Sequence, residues 1–108
     1  MTNAEVYSAR NKVLSDCVPN ASFWACNGSI IRNIYELCNT LKSMDEWNFR
    51  YHVNSDLDKN DFAKWIREVL EYPELADQLY KVKDKEKYIS IIEKRIRKLE
   101  AMPVQQIC

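Results

Sequence analysis

Glycine is nearly absent from this chain, with Gly28 the single example among 108 residues. Phosphate cradles and dinucleotide loops need several glycines, because only a missing side chain lets backbone amides approach a pyrophosphate. Nucleotide chemistry of those kinds is therefore excluded. Histidine is as scarce, with His52 alone. Zinc sites are built from closely spaced Cys and His pairs, whereas Cys17, Cys26, Cys38 and Cys108 are widely separated. No metal and no other cofactor is expected. The same cysteines lack the density of a disulfide scaffold, and in a reducing compartment they remain thiols buried as small hydrophobes. No apolar run approaches the roughly 18 residues of a membrane span, and the opening residues lack an apolar leader core. A soluble, cytoplasmic chain with no membrane contact is the expectation. A net charge is missing too: 16 basic and 16 acidic side chains cancel, so no overall field draws the chain to polyanions.

What the chain does contain is core material. Hydrophobic residues make up 46% of it and aromatics 11%, including three Trp, enough to offset the ordering entropy of one compact domain spanning residues 1–108. Residues 1–20 hold a peripheral first helix and 103–108 a tail. Charge is segregated along the chain: residues 45–79 carry four basic and nine acidic groups, and residues 80–108 carry eight and four.

Periodicity and capping residues predict mainly α architecture (α+β), with five to six short helices packed around one small β-hairpin. Thr2 and Glu5 form a capping-box pattern that opens a helix over about residues 3 to 15. Two β-prone runs flank Asn27-Gly28, the dipeptide that favours a type I′ turn. Asn33 is placed to cap a helix carrying Ile34, Leu37, Cys38 and Leu41, and Asp45 to cap a shorter one. Asp58 is read as the next N-cap, with Leu57 stapled against Phe62, before the stripe Phe62, Trp65, Ile66, Val69 and Leu70. Pro73 starts the following helix at its first position, and Asp84 caps the last, which Pro103 ends.

The segment Tyr51-His52-Val53-Asn54, followed by Lys59-Asn60-Asp61-Phe62-Ala63 and Trp65-Ile66, resembles the core of an uncharacterised family of small archaeal and bacterial domains with a YHVN…KNDFxxWI motif. The likeness runs from the hairpin through Pro73-Glu74-Leu75-Ala76 to Lys83-Asp84-Lys85-Glu86, leaving the first 20 residues and the tail outside. It implies this fold and no activity, so Tyr51, His52, Asn54, Asn60, Asp61 and Trp65 form a motif of unassigned role. The family has Gly-Asp where this chain has Glu71-Tyr72, which implies a different turn there.

His52 could in principle pair with Cys38 or Cys26 as a nucleophile, oriented by Asp61 or Asn54. No cysteine-hydrolase signature surrounds either thiol, and a lone histidine at a helix end reads better as a satisfied structural donor. Asn54, Asp56, Asp58, Asn60 and Asp61 alternate like calcium ligands but lack the central glycine and the closing glutamate. Phe23, Trp24, Trp47, Phe49, Tyr51, Phe62 and Trp65 read as core volume rather than a stacking face. Lys87, Lys94, Arg97 and Lys98 fall along the last helix as a row able to track phosphates, with Glu93 placed to pair with Arg97. In the same helix Ile89, Ile92, Ile96 and Leu99 repeat at coiled-coil spacing; the stripe is too short for a free coil and must dock on its own domain or on a second copy. No catalytic motif emerges. The expected function is a non-enzymatic protein-interaction or regulatory module, with a protein partner or a homodimer; the alternative is a nucleic-acid binder using the basic last helix.

Overall fold

The computed structural model describes residues 10–101. A helix, α1, occupies residues 10–14. After a single 3-10 turn at Pro19–Ala21 come β1 (Phe23–Trp24) and β2 (Ile30–Ile31), then α2 (Ile34–Ser43), α3 (Glu46–His52), β3 (Val53–Asn54), a second 3-10 turn (Ser55–Leu57) and β4 (Lys59–Asn60). Three helices complete the order: α4 (Asp61–Glu68), α5 (Pro73–Tyr80) and α6 (Lys85–Glu100). Mainly α architecture holds, but the single hairpin becomes two separate antiparallel pairs, β1 with β2 and β3 with β4.

Local chemistry sets most boundaries. Asn33, Asp45 and Asp84 each accept a hydrogen bond from the backbone N–H three residues on, at Glu36, Asn48 and Lys87, satisfying amides that the first helical turn leaves unpaired. Pro73 occupies the first position of α5, where its missing N–H costs nothing.

Two expected features are corrected. The N-cap of α4 is Asn60, accepting from the Ala63 N–H, and Asp58 instead holds a left-handed φ of 48°. The reason is tertiary: pairing of Val53 with Asn60 and of Asn54 with Lys59 draws the chain through a tight reversal, so the helix starts two residues late. Leu57 is 71% exposed while Phe62 is fully buried, so no staple forms. The β1–β2 turn also differs from type I′, which needs positive φ at both central residues. Here the Gly28 N–H donates to the Ala25 carbonyl and the Ala25 N–H to that of Ser29, with positive φ at Gly28 (92°) but not at Asn27. This is a type I turn closed by a glycine bulge, the usual three-residue hairpin loop.

The core is continuous. α2 packs on α6, α4 on α5, and α5 on α6, burying Leu37 and Leu41, Phe62 and Ile66, Leu75 and Leu79, and Tyr88 and Ile92. The α6 stripe docks on its own domain: Ile92, Ile96 and Leu99 are buried within the chain. Tyr88 takes the place expected for Ile89, which is half-buried. The aromatic expectation divides: Phe49, Phe62 and Trp65 are core and Phe23 packs against it, but Trp24, Trp47 and Tyr51 are exposed. Of the cysteines, Cys38 is buried, Cys17 half-buried and Cys26 exposed, so burial as a small hydrophobe holds only for Cys38. The first part of the expected N-terminal helix, Pro103, the tail and Cys108 lie outside the described residues.

Between α4 and α5 the chain turns through Glu71 at a φ of 54°, and the Tyr72 N–H donates to the Ile66 carbonyl. A glutamate here keeps the left-handed geometry that glycine adopts without Cβ strain, so the Glu71-Tyr72 sequence does not abolish a glycine-type turn. Replacing Glu71 by Gly relieves that strain at the cost of an exposed ion pair with Lys12 that is worth little. Thermal melts should show Glu71→Gly more stable by about 0.5–1 kcal/mol; a lower melting temperature than the parent would contradict the strain.

Candidate functional site

The motif of unassigned role converges on His52, the last residue of α3. Along that helix Phe49 and His52 face inward while Trp47, Arg50 and Tyr51 face out. His52 is 4% exposed, the one polar residue buried with the core among the described residues. Its Nδ1 donates to Asp61 Oδ2 at 2.8 Å and its Nε2 accepts from the Cys26 N–H at 2.9 Å. Because Nε2 must offer a lone pair to that amide, the proton sits on Nδ1 and the imidazole is neutral. Phe23 meets the ring edge-on at 5.1 Å and Phe62 lies at 4.9 Å. One ring thus ties the hairpin loop to the ends of α3 and α4.

This geometry decides the nucleophile question. Asp61 does orient the imidazole, as a triad would need, but the nitrogen that would take a thiol proton is occupied by a backbone amide. The Cys26 Sγ turns away to Asn48, 3.4 Å from Oδ1 and 3.6 Å from the carbonyl. Burial pushes the Cys38 thiol up, with Lys42 opposing, which disfavours the thiolate a nucleophile requires. Asn54 accepts from the Asp56 N–H and serves the turn. Among the described residues no group of three or more His, Cys, Asp or Glu could hold a metal ion.

Asn60 is the second junction. Its Oδ1 accepts from the Ala63 N–H and from the Tyr88 hydroxyl at 2.7 Å, and its Nδ2 donates to the Leu79 carbonyl at 3.0 Å. One amide therefore caps α4 and binds both α5 and α6. Trp65 Nε1 donates to the Ala21 carbonyl at 2.8 Å, fixing the approach to the hairpin, and the Lys59 ammonium lies 4.1 Å from the centre of the Tyr51 ring. Every member of the motif has a structural task. Periodicity could not find Tyr88, since a hydroxyl at a core position reads as an interruption.

The cations of α6 divide between two grooves. Lys94 and Lys98 line a groove with Gln78, Ile91 and Arg95, whereas Arg97 lines another, beside Tyr35, Lys42, Glu93 and Glu100. Glu93 pairs with Lys42 at 3.1 Å rather than with Arg97, because α2 brings a cation closer than the helix's own next turn. Lys87 is exposed. Sequence reasoning left Arg95 unnamed, and it took Trp24 and Trp47 for core.

What the fold and this junction define is a small, mainly helical domain whose hairpin, central helices and last helix are clasped by buried side-chain hydrogen bonds. The chain belongs to DUF5752, a family of unknown function, which matches residues 21–106. The match begins where the resemblance did and reaches two residues short of the end, further into the tail than expected. No curated protein and no solved structure matches the chain. No helix of the described residues is long and apolar enough to cross a membrane.

Asn60→Ala strands the Tyr88 hydroxyl and the Leu79 carbonyl and removes a cap, and should cost about 2–4 kcal/mol in denaturant melts; a loss below about 0.5 kcal/mol, ordinary for a surface site, would refute the junction. Tyr88 also sets a pH dependence. Burial pushes its hydroxyl well above the ordinary tyrosine value, so above pH of about 10 the unfolded chain releases a proton the folded chain keeps. Stability due to this group is complete below that pH and falls as pH rises, by about 1.4 kcal/mol per unit. Burial also raises the Tyr72 and Tyr35 hydroxyls, so melts of Tyr88→Phe from neutral to strongly alkaline pH should fall less steeply than those of the parent; an unchanged slope would contradict the assignment to Tyr88.

Proposed function

We propose that the domain is a protein-interaction module whose binding face is the outer surface of the hairpin and α3. The observation that carries this is the exposure of Trp47 (83%), Trp24 (72%) and Tyr51 (58%), well beyond that of the other exposed aromatics, Tyr80 and Tyr35, while the third Trp, Trp65, is buried. Trp is among the most buried residue types on average, and exposed Trp and Tyr dominate protein interfaces because they offer large area at low rotamer entropy. Trp24 stands opposite Ile30 across the β1–β2 pair, and Ile30 is also exposed. Trp47 and Tyr51 are one helical turn apart on α3. The bonds from Cys26 to His52 and Asn48 hold the two elements together, so these side chains ride on one rigid body and lose little freedom on binding.

Charge supports a partner with basic character. Asp45, Glu46, Asp56, Asp58 and Asp61 outnumber Arg50 and Lys59 across α3 and the turn that follows, and aromatic faces attract cations. The same acidity disfavours a nucleic-acid backbone on this face.

The test compares the parent protein with Trp24→Ser/Trp47→Ser and with Lys94→Gln/Lys98→Gln, all immobilised and exposed to a whole-cell extract, with bound proteins and nucleic acid quantified. These exposed substitutions should shift stability by no more than about 0.5 kcal/mol. The expected result is a protein retained by the parent and the lysine variant but depleted on the tryptophan variant. Equal retention on all three, or salt-sensitive retention of nucleic acid alone, would refute the reading.

A further inference from the structure

On a different face, and independently of the aromatic surface, we infer that the groove between α5 and α6 is a binding site for the phosphate group of a small phosphorylated ligand, with Arg95 as its clamp. Ile91, Lys94, Arg95 and Lys98 fall within about 100° of helical arc and meet Gln78 of α5 across a groove of about 310 Å³. Three of these five lining side chains are cationic and none is acidic. Lys94 and Lys98 stand one turn, about 6 Å, apart.

The decisive feature is how Arg95 is held. Arg32, Arg50 and Arg67 each form an ion pair, with Glu36, Glu46 and Asp77. Arg95 forms none among the described residues. Its two terminal nitrogens donate instead to neutral oxygens, the Tyr72 hydroxyl at 3.1 Å and Gln78 Oε1 at 2.8 Å, and its guanidinium lies 5.5 Å from the centre of the Tyr72 ring. Tyr72 is itself buried and so is a fixed anchor. Glu74 acts on the Tyr72 hydroxyl only at range and makes no ion pair with Arg95. A guanidinium oriented by neutral acceptors keeps its positive charge uncompensated and its remaining N–H donors free, in the fork geometry that matches a phosphate. The two ammoniums add point charges on either side. A phosphate in the groove would therefore meet a cation whose ordering has already been accomplished by the fold. The only apolar lining residue is Ile91, so no aromatic ring lines the groove to stack on a base, and the convergence of cations on one spot favours a single phosphate group over an extended nucleic-acid backbone.

The test is a titration of the full chain with inorganic pyrophosphate, followed by the backbone amide and arginine Nε–H resonances, with sodium chloride at matched ionic strength as the reference. Saturable shifts are expected at the Arg95 Nε–H and at the amides of Gln78 and residues 91–98. Lys94→Gln/Lys98→Gln, which removes two exposed side chains, should weaken the affinity about tenfold or more, since each lost charge contact approaches a factor of ten. Arg95→Gln should abolish saturation while Arg95→Lys retains part of it; if Arg95→Gln unfolds, the lysine variant decides. Shifts reproduced by sodium chloride, or unchanged in the lysine variant, would overturn the site. A short single-stranded oligonucleotide that binds more tightly than pyrophosphate, with shifts spreading to Lys81, Lys83, Lys85 and Lys87, would overturn it in favour of nucleic acid.

Discussion

A buried imidazole must satisfy both of its nitrogens, and in this domain that constraint fixes the relative placement of three elements. With Nδ1 on Asp61 and Nε2 on the Cys26 amide, His52 can sit in the core only if the hairpin loop and the start of α4 are both in position. Leaving either partner absent would strand a polar atom among Phe23, Phe62 and the rest of the aromatic cluster, at a cost comparable to a lost buried hydrogen bond. The hairpin is otherwise slight, two residues per strand, too short to persist alone. Its stability is borrowed from the imidazole and from the Trp65 bond to Ala21.

Asn60 repeats the device eight residues later in the chain. It joins the cap of α4, the end of α5 and the side of α6 through one amide group. Hydrophobic burial supplies most of the driving force for collapse but is non-directional. The two polar junctions, by contrast, each demand one arrangement, and together they specify how the helices meet. No buried side-chain nitrogen or oxygen among the described residues lacks a partner, so the network is complete rather than half-satisfied. This completeness is also why the side chains of the YHVN…KNDFxxWI motif serve the architecture of the domain.

At the surface the segregated charges acquire a layout. The acidic stretch includes α3 with its exposed aromatics Trp47 and Tyr51, and the basic stretch supplies the cations of the α5–α6 groove. The proposed partner surface and the proposed phosphate groove thus draw on different stretches of the charge pattern.

Where a boundary depends on a residue and its next few neighbours, the sequence alone determined it. Asn33, Asp45 and Asp84 cap their helices because a short polar side chain reaches an amide three residues on, whatever else the fold does, and Pro73 starts α5 because its ring already has helical φ. The stripes of α2, α4 and α6 were legible because a 3.6-residue period is a local property. Only the tertiary structure decided the remainder. Asp58 and Asn60 are both competent caps, and the β3–β4 pairing selects between them. Trp24 and Trp47 have the composition of core but not its position, since a two-residue strand and a seven-residue helix each have only one face to bury and Phe23 and Phe49 already occupy it. His52 with Asp61, and Asn60 with Tyr88, are hydrogen-bonded pairs separated by nine and by 28 residues, distances over which no local periodicity carries information. Arg95 is one of eight basic residues near the end of the chain, and only Tyr72, just before α5, and Gln78, within it, show which of them the fold holds by neutral acceptors.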